Sequence, residues 1–239
     1  MSLLTRVIVA HTCAFLILIG LTVTTRSTLG LGEVYPHKAA ALFLVLTLVC
    51  LALVARHHPF ARYGAGNLVT LMRAVLLSAV AALIAEPIAR RVAMYAAITS
   101  FVIVILDGVD GWLARRSGTV SAFGARFDVE TDAALIMTLT ILVWQHGKAG
   151  VWVLLCGLMR YLFIAAGWPL PWMAGPLEPT RRAKTVAVIQ MAALSSALVP
   201  VVPASVSVSV TAVALATLTW SFAIDVGRLW RSRPRAVHD

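Results

Sequence analysis

The chain has 239 residues, of which 60% are hydrophobic and only 13% are charged. Soluble domains carry about 25% charged residues, so this composition excludes an ordinary soluble domain and predicts an integral membrane protein. The formal net charge is +10, but the arginines cluster beside apolar runs, which favours anionic lipid headgroups over nucleic acid as partners.

Apolar runs of about 20 residues are long enough to cross a bilayer as helices, and the sequence predicts eight such spans in an all-α fold. The first two are predicted at about 7–24 and 39–55. A cleaved signal peptide is the alternative interpretation of the first run, although no small-residue cleavage site follows it. The basic and aromatic segment ARHHPFARYGAG comes next, and we expect it at the membrane interface. The other six spans are predicted at about 67–86, 92–115, 125–145, 149–168, 184–200 and 204–227.

The basic residues divide unequally between the two sides of this arrangement. One side holds Arg6, Arg56, Arg62, Arg115, Arg116, Arg126, Arg181, Arg182, Lys184, Arg228, Arg231, Arg233 and Arg235. The other side holds Arg26, Lys38, Arg90, Arg91 and Lys148. Because positive loops stay inside, we expect the first side and both termini to be cytoplasmic, in a bacterial inner membrane.

The segment DGVDGWLARRSGTVSAFGARFDVETD lies on that first side, between two apolar runs. Asp107 and Asp110 are three residues apart at the end of one run, and Asp128 and Asp132 are four apart at the start of the next. Residues at these spacings share a helix face, so a short loop would bring the two pairs together. Four neighbouring carboxylates repel one another unless a cation lies among them, and Mg²⁺ is the ion that combines carboxylate ligands with substrate phosphates. The segment therefore predicts a metal site that binds a phosphorylated substrate.

Eight positions of this segment form the pattern D-x2-D-G-x2-A-R-x8-G-x3-D-x3-D. It resembles the signature of the CDP-alcohol phosphotransferases, integral membrane enzymes of phospholipid synthesis. The resemblance implies a catalytic core of six transmembrane helices at residues 62–230, an N-terminal extension of two helices at 1–61 and a basic tail at 231–239. It also implies transfer of a phosphatidyl or related group from a CDP-linked donor, which we expect to be CDP-diacylglycerol, to a polar alcohol, with release of CMP.

The resemblance also implies roles for individual residues. Asp107, Asp110 and Asp128 would hold Mg²⁺ or Mn²⁺, while Asp132 would take the proton of the attacking hydroxyl and also contact metal, so that Asp128 and Asp132 are the predicted catalytic residues. A further pattern, Asn-x2-Thr-x2-Arg at the start of the third span, resembles the family's first core helix near the nucleotide. The predicted nucleotide-binding residues are Asn67, Thr70, Arg73, Gly111, Ala114, Arg115 and Gly124.

Basic residues outside the signature are candidates for binding the acceptor. Arg160 lies within an apolar span, where an arginine costs about 2.5–3.5 kcal/mol and needs a partner. With Arg181, Arg182 and Lys184 it could hold an anionic acceptor such as a polyol phosphate. For Arg160, as for Arg73, the alternative is snorkelling or an inter-helix ion pair, and for the other three it is the binding of lipid headgroups.

Two other functions remain open at this point. The four acids could be the ion site of a divalent-cation transporter, although a transporter would place them nearer the middle of the membrane. A membrane scaffold without activity is the third interpretation, against which the intact signature argues. The resemblance implies a homodimer, and we expect membrane lipids but no nucleic acid as further partners.

Overall fold

The structure is a computed structural model that describes residues 2–57, 63–175 and 180–232, and these ranges contain eight α-helices and no β-strand. The helices are α1 (Leu3–Leu29), α2 (Tyr35–His57), α3 (Ala65–Ala81), α4 (Arg90–Arg116), α5 (Ala122–Gln145), α6 (Leu154–Ala166), α7 (Arg181–Leu198) and α8 (Ala204–Ser232). Short 3₁₀ turns at Val151–Val153 and Pro171–Ala174 flank α6. The predicted all-α membrane fold is confirmed.

Within the described residues, four helices are long and apolar enough by themselves to cross a bilayer: α1, the first 18 residues of α2, α4 and α8. The helix α3 and the segment Val151–Ala166 are apolar but shorter. Residues 58–62 and 233–239, which include the predicted interfacial segment's Arg62 and most of the basic tail, lie outside the described residues.

The third predicted span was extended too far, because α3 ends at Ala81 rather than near residue 86. From Ala82 the chain forms turns in which an amide donates to the carbonyl three residues earlier, as in Leu83 N–H to Val80 O and Glu86 N–H to Leu83 O. Glu86 is then buried in an ion pair of 2.5 Å with Lys38. The apolar composition of 82–85 continues past the helix end, so periodicity alone could not locate this turn.

The helices α5 and α7 each begin at a hydroxyl cap. The Ser121 side chain accepts a hydrogen bond of 3.0 Å from the Gly124 amide, and Thr180 accepts one of 3.1 Å from the Ala183 amide. Such caps stabilise a helix by about 1 kcal/mol because they satisfy an amide that has no partner within the helix. They fix where α5 and α7 start, on the side where α4 ends.

The helix α3 lies at the centre of the bundle, because α1, α2, α4 and α5 all pack against it. The helix α7 packs against α4, α5 and α8, and α6 packs against α5 and α8. We call α1 and α2 together the N-terminal hairpin; it covers the faces of α3 and α5 that would otherwise meet lipid. Thus α3, α4, α5 and α7 are the helices whose ends can meet at one site.

Candidate active site

Two aspartates come from the end of α4 and two from the start of α5. Asp107 and Asp110 are buried, with 2% and 4% of their surface exposed, while Asp128 and Asp132 keep 24% and 18% of their side chains exposed. One carboxylate oxygen each from Asp107, Asp110 and Asp128 lies within 4.8 Å of the other two. We call Asp107, Asp110, Asp128 and Asp132 the acidic cluster. The helix-face spacing in the sequence therefore does bring the two pairs into apposition.

A single guanidinium, that of Arg73 on α3, contacts all four members of the acidic cluster. Its Nη1 lies 3.1 Å from Asp107 Oδ1 and 2.6 Å from Asp110 Oδ2. The same nitrogen donates a hydrogen bond of 2.5 Å to Asp128 Oδ1, and Nη2 donates one to Asp132 Oδ1. Arg73 is fully buried. This residue was predicted to bind nucleotide, and the structure places it among the carboxylates instead of on the cavity wall described below.

The acidic cluster fits a divalent cation on three grounds. Four carboxylates face one guanidinium, so ionised side chains would leave an excess of negative charge in a largely buried place. Asp107 Oδ1 is buried and accepts no well-aligned hydrogen bond from the described residues, although Arg73 Nη1 lies 3.1 Å away. The ligand atoms are all carboxylate oxygens, which Mg²⁺ and Mn²⁺ prefer.

A cavity of about 260 Å³ opens beside the acidic cluster. Of the seven predicted nucleotide-binding residues, all except Arg73 line it. Its wall is formed by Gly66, Asn67, Thr70, Asp110, Gly111, Ala114, Arg115, Thr119, Val120, Ser121, Gly124, Ala125, Asp128 and Lys184. The cavity therefore joins the starts of α3, α5 and α7 to the end of α4, with two acids of the cluster in its wall.

Two glycines let the helices approach one another around this cavity. A Cβ on Gly66 would lie 3.0 Å from both Ala114 Cβ and Asp110 O, so α3 and α4 touch there. A Cβ on Gly124 would lie 2.7 Å from Asn67 Oδ1, a separation that real atoms do not adopt. The glycines thus hold α3 close to both halves of the signature.

A family model described as CDP-alcohol phosphatidyltransferase matches residues 63–223. The chain belongs to this family. Searches of curated proteins and of solved structures gave no match. The family transfers substituted phosphate groups from CDP-alcohols, and the acidic cluster is compatible with the divalent metal that its members use. The match begins after the N-terminal hairpin.

Several residues that line the cavity were not predicted from the sequence. Gly66 gave no signal, since a glycine near a helix start has many explanations. Thr119, Val120, Ser121 and Ala125 belong to the variable stretch inside the signature. Of these, Ser121 could have been found, because a serine three residues before a signature glycine is a typical helix cap.

The four basic residues predicted to bind the acceptor are not brought together. Arg160 donates a hydrogen bond of 2.6 Å to Glu130 Oε1 on α5. Arg182 pairs with Asp225 and donates a bond of 2.6 Å to the Ser221 carbonyl, both on α8. Lys184 lines the cavity beside Gly111, and Arg181 is exposed. Their role in acceptor binding stays a prediction.

Proposed function

We propose that the protein transfers a phosphatidyl or related phospho-alcohol group from a CDP-linked donor, CDP-diacylglycerol, to a polar alcohol and releases CMP in phospholipid synthesis. The observation that carries this proposal is that two acids of the acidic cluster, Asp110 and Asp128, lie in the wall of a cavity that is also lined by the signature glycines. Membership of the family supports the reaction class.

The cavity has the groups that a cytidine diphosphate needs. Asn67 and Thr70 supply polar atoms on α3, and Arg115 and Lys184 supply positive charge for phosphate oxygens. A Cβ on Gly111 would lie 3.2 Å from Arg115 Nη1 and 3.8 Å from Lys184 Nζ. The glycine therefore leaves open the space beside both cations, where we place the diphosphate.

Asp107, Asp110 and Asp128 are the residues that would hold the Mg²⁺ or Mn²⁺ ion, with Asp132 beside them. When bound, such an ion neutralises the charge of the diphosphate and of the departing phosphate. Thr70 donates a hydrogen bond of 2.9 Å to Asp110 Oδ2 and so fixes the orientation of that carboxylate.

Asp132 accepts the proton of the acceptor's hydroxyl as its oxygen bonds to the phosphorus that carries the lipid. The bond from this phosphorus to the oxygen of CMP breaks, and its electron pair leaves with CMP. Arg73 donates a hydrogen bond to Asp132 Oδ1, which orients the carboxylate. Asp132 Oδ2 is then the atom that we assign to proton transfer.

We also propose a membrane orientation, a domain division and an oligomeric state for the protein. The excess of basic residues beside the site supports a cytoplasmic orientation in a bacterial inner membrane. The six-helix core at 62–230, the extension at 1–61, the tail at 231–239 and a homodimer remain predictions from the family resemblance.

The decisive experiment measures CMP release by purified protein in vesicles that contain CDP-diacylglycerol, with Mn²⁺ or Mg²⁺ and a panel of alcohols. We expect release that requires both the metal and one class of acceptor. Asp107→Asn combined with Asp110→Asn is the inactive control. Mn²⁺ flux into these vesicles without any CMP release would refute the proposal and favour the cation transporter.

A further inference from the structure

Tyr63 is the point at which the N-terminal hairpin meets the start of α3. Only 4% of its surface is exposed. Its hydroxyl lies 3.5 Å from the Cys50 sulfur on α2, and its ring centroid lies 6.0 Å from that of His11 on α1. The His11 ring lies in turn 6.3 Å from Phe43 on α2. Both helices of the hairpin therefore contact one aromatic side chain.

The backbone of Tyr63 is tied to the donor cavity. Its carbonyl accepts a hydrogen bond of 2.5 Å from Asn67 Nδ2. The other end of this amide, Asn67 Oδ1, lies against Gly124 so closely that a Cβ there would be 2.7 Å away. Asn67 is thus held between Tyr63 and the first turn of α5, and its position in the cavity wall depends on both.

A second set of contacts runs from Tyr63 into α5. The ring centroids of Tyr63 and Phe123 are 6.1 Å apart. Phe123 stacks on Phe127, with centroids 5.9 Å apart and ring planes inclined by 17°. Phe127 directly precedes Asp128, a member of the acidic cluster. Buried aromatic side chains therefore connect the hairpin to two of the helices that line the cavity, α3 and α5.

We propose that the N-terminal hairpin positions the donor cavity and that Tyr63 is the positioning residue through which it acts. The inference rests on the proposed function, since the cavity must bind a cytidine nucleotide. The family match begins at residue 63, so both helices of the N-terminal hairpin lie outside the matched region. Through Tyr63, these two helices position Asn67 and the first turn of α5. A hairpin that only covered α3 from lipid would not need contacts at this end.

The opposite end of the hairpin offers a matched control. Tyr35 at the start of α2 is fully buried and donates a hydrogen bond of 2.9 Å to the Ala79 carbonyl near the end of α3. Tyr35 and Tyr63 are both buried tyrosines between hairpin and core, but Tyr35 lies at the far end of α3 from Asn67. Replacing each by leucine removes a comparable amount of packing and differs in the distance from the cavity.

The test compares Tyr63→Leu, Tyr63→Phe and Tyr35→Leu in full-length protein. The measurements are KM for CDP-diacylglycerol, KM for the acceptor, kcat, thermal unfolding and CMP affinity by equilibrium dialysis with Mn²⁺. We expect Tyr63→Leu to raise the donor KM and the CMP dissociation constant about fivefold or more, with kcat within about twofold, because ground-state placement of the donor is lost. Tyr63→Phe keeps the ring contacts and restores the donor KM. Tyr35→Leu lowers the unfolding temperature and leaves the donor KM unchanged.

The outcomes distinguish a failure of the proposed function from a failure of the inference about the hairpin. Wild-type protein that neither releases CMP nor binds it would overturn the proposed function, and this inference with it. Wild-type activity with the same donor KM in Tyr63→Leu and Tyr35→Leu would overturn the inference alone. If Tyr63→Leu does not fold, His11→Leu on α1 replaces it, since the His11 ring packs against the Tyr63 ring with centroids 6.0 Å apart. An unchanged donor KM in His11→Leu would then refute the role of the hairpin.

Discussion

Arg73 on α3 donates a hydrogen bond of 2.6 Å to Asp110 on α4, although 37 residues separate them in the sequence. The same guanidinium contacts the other three acids of the cluster. In a buried site, one cation among four carboxylates supports the structure as well as the chemistry, because the acids would otherwise repel one another.

Replacing Arg73 with glutamine should therefore make the fold depend on metal. Removing one partner of a buried ion pair costs about 3–5 kcal/mol, so we expect Arg73→Gln to unfold at a clearly lower temperature than wild type in EDTA. Added Mn²⁺ should recover more stability in the variant than in wild type, because the ion supplies the missing positive charge.

Thermal unfolding in detergent, with EDTA and with increasing Mn²⁺, measures this difference. Arg26→Gln is the matched control, since Arg26 pairs with Glu33 at an exposed site where an ion pair contributes little. Equal stabilisation by Mn²⁺ in wild type and Arg73→Gln would show that the guanidinium and the ion do not compensate the same charges.

Asp132→Asn tests the assignment of the base. An amide keeps the shape of the side chain but cannot accept the hydroxyl proton, so kcat should fall by about 10²–10⁴-fold while KM for the donor changes little. Glu33→Gln removes an exposed acid at the other end of the molecule and should leave kcat unchanged. A rate near that of wild type for Asp132→Asn would contradict proton transfer to this residue.

The acidic cluster could be predicted because it follows from local spacing. Asp107 and Asp110, like Asp128 and Asp132, share helix faces by periodicity, and the short loop between α4 and α5 leaves only one way to pair them. Arg73 could not be placed in the same way. It lies on α3, 34 residues before Asp107, and only tertiary packing decides whether its guanidinium points to the cavity or to the acids.

The partners of the basic residues at the start of α7 could not be predicted from the sequence either. The composition of the 181–184 stretch indicates a basic cluster, but it does not show that Arg182 turns towards Asp225 on α8 while Lys184 turns towards Gly111 on α4. Neighbouring residues on a helix point in different directions, so a run of charges in sequence is divided among different partners in space.

Gly124→Ala tests the close approach of α5 to Asn67. The new Cβ would lie 2.7 Å from Asn67 Oδ1, and Asn67 cannot retreat without breaking its hydrogen bond to Tyr63 O. We expect the donor KM to rise about tenfold and stability to fall by about 1–3 kcal/mol, the usual cost of overpacking. Gly108→Ala is the control on α4, since nothing lies within 4 Å of its added Cβ. If both alanine variants bind donor like wild type, Asn67 does not shape the nucleotide site.

Arg160 and Glu130 provide the test of acceptor charge. Glu130 lies two residues from both Asp128 and Asp132 on α5, and its carboxylate takes a hydrogen bond of 2.6 Å from Arg160. An anionic acceptor that uses Arg160 must compete with Glu130 for it. Arg160→Ala should then raise the KM of a polyol phosphate about tenfold, while Glu130→Gln, which frees the guanidinium, should lower it. Uncharged alcohols should respond to neither change. The same KM for anionic acceptors in wild type and both variants would assign the pair to helix packing between α5 and α6. If Arg160 bound the acceptor, removing the Glu130 carboxylate that competes for its guanidinium would change this KM.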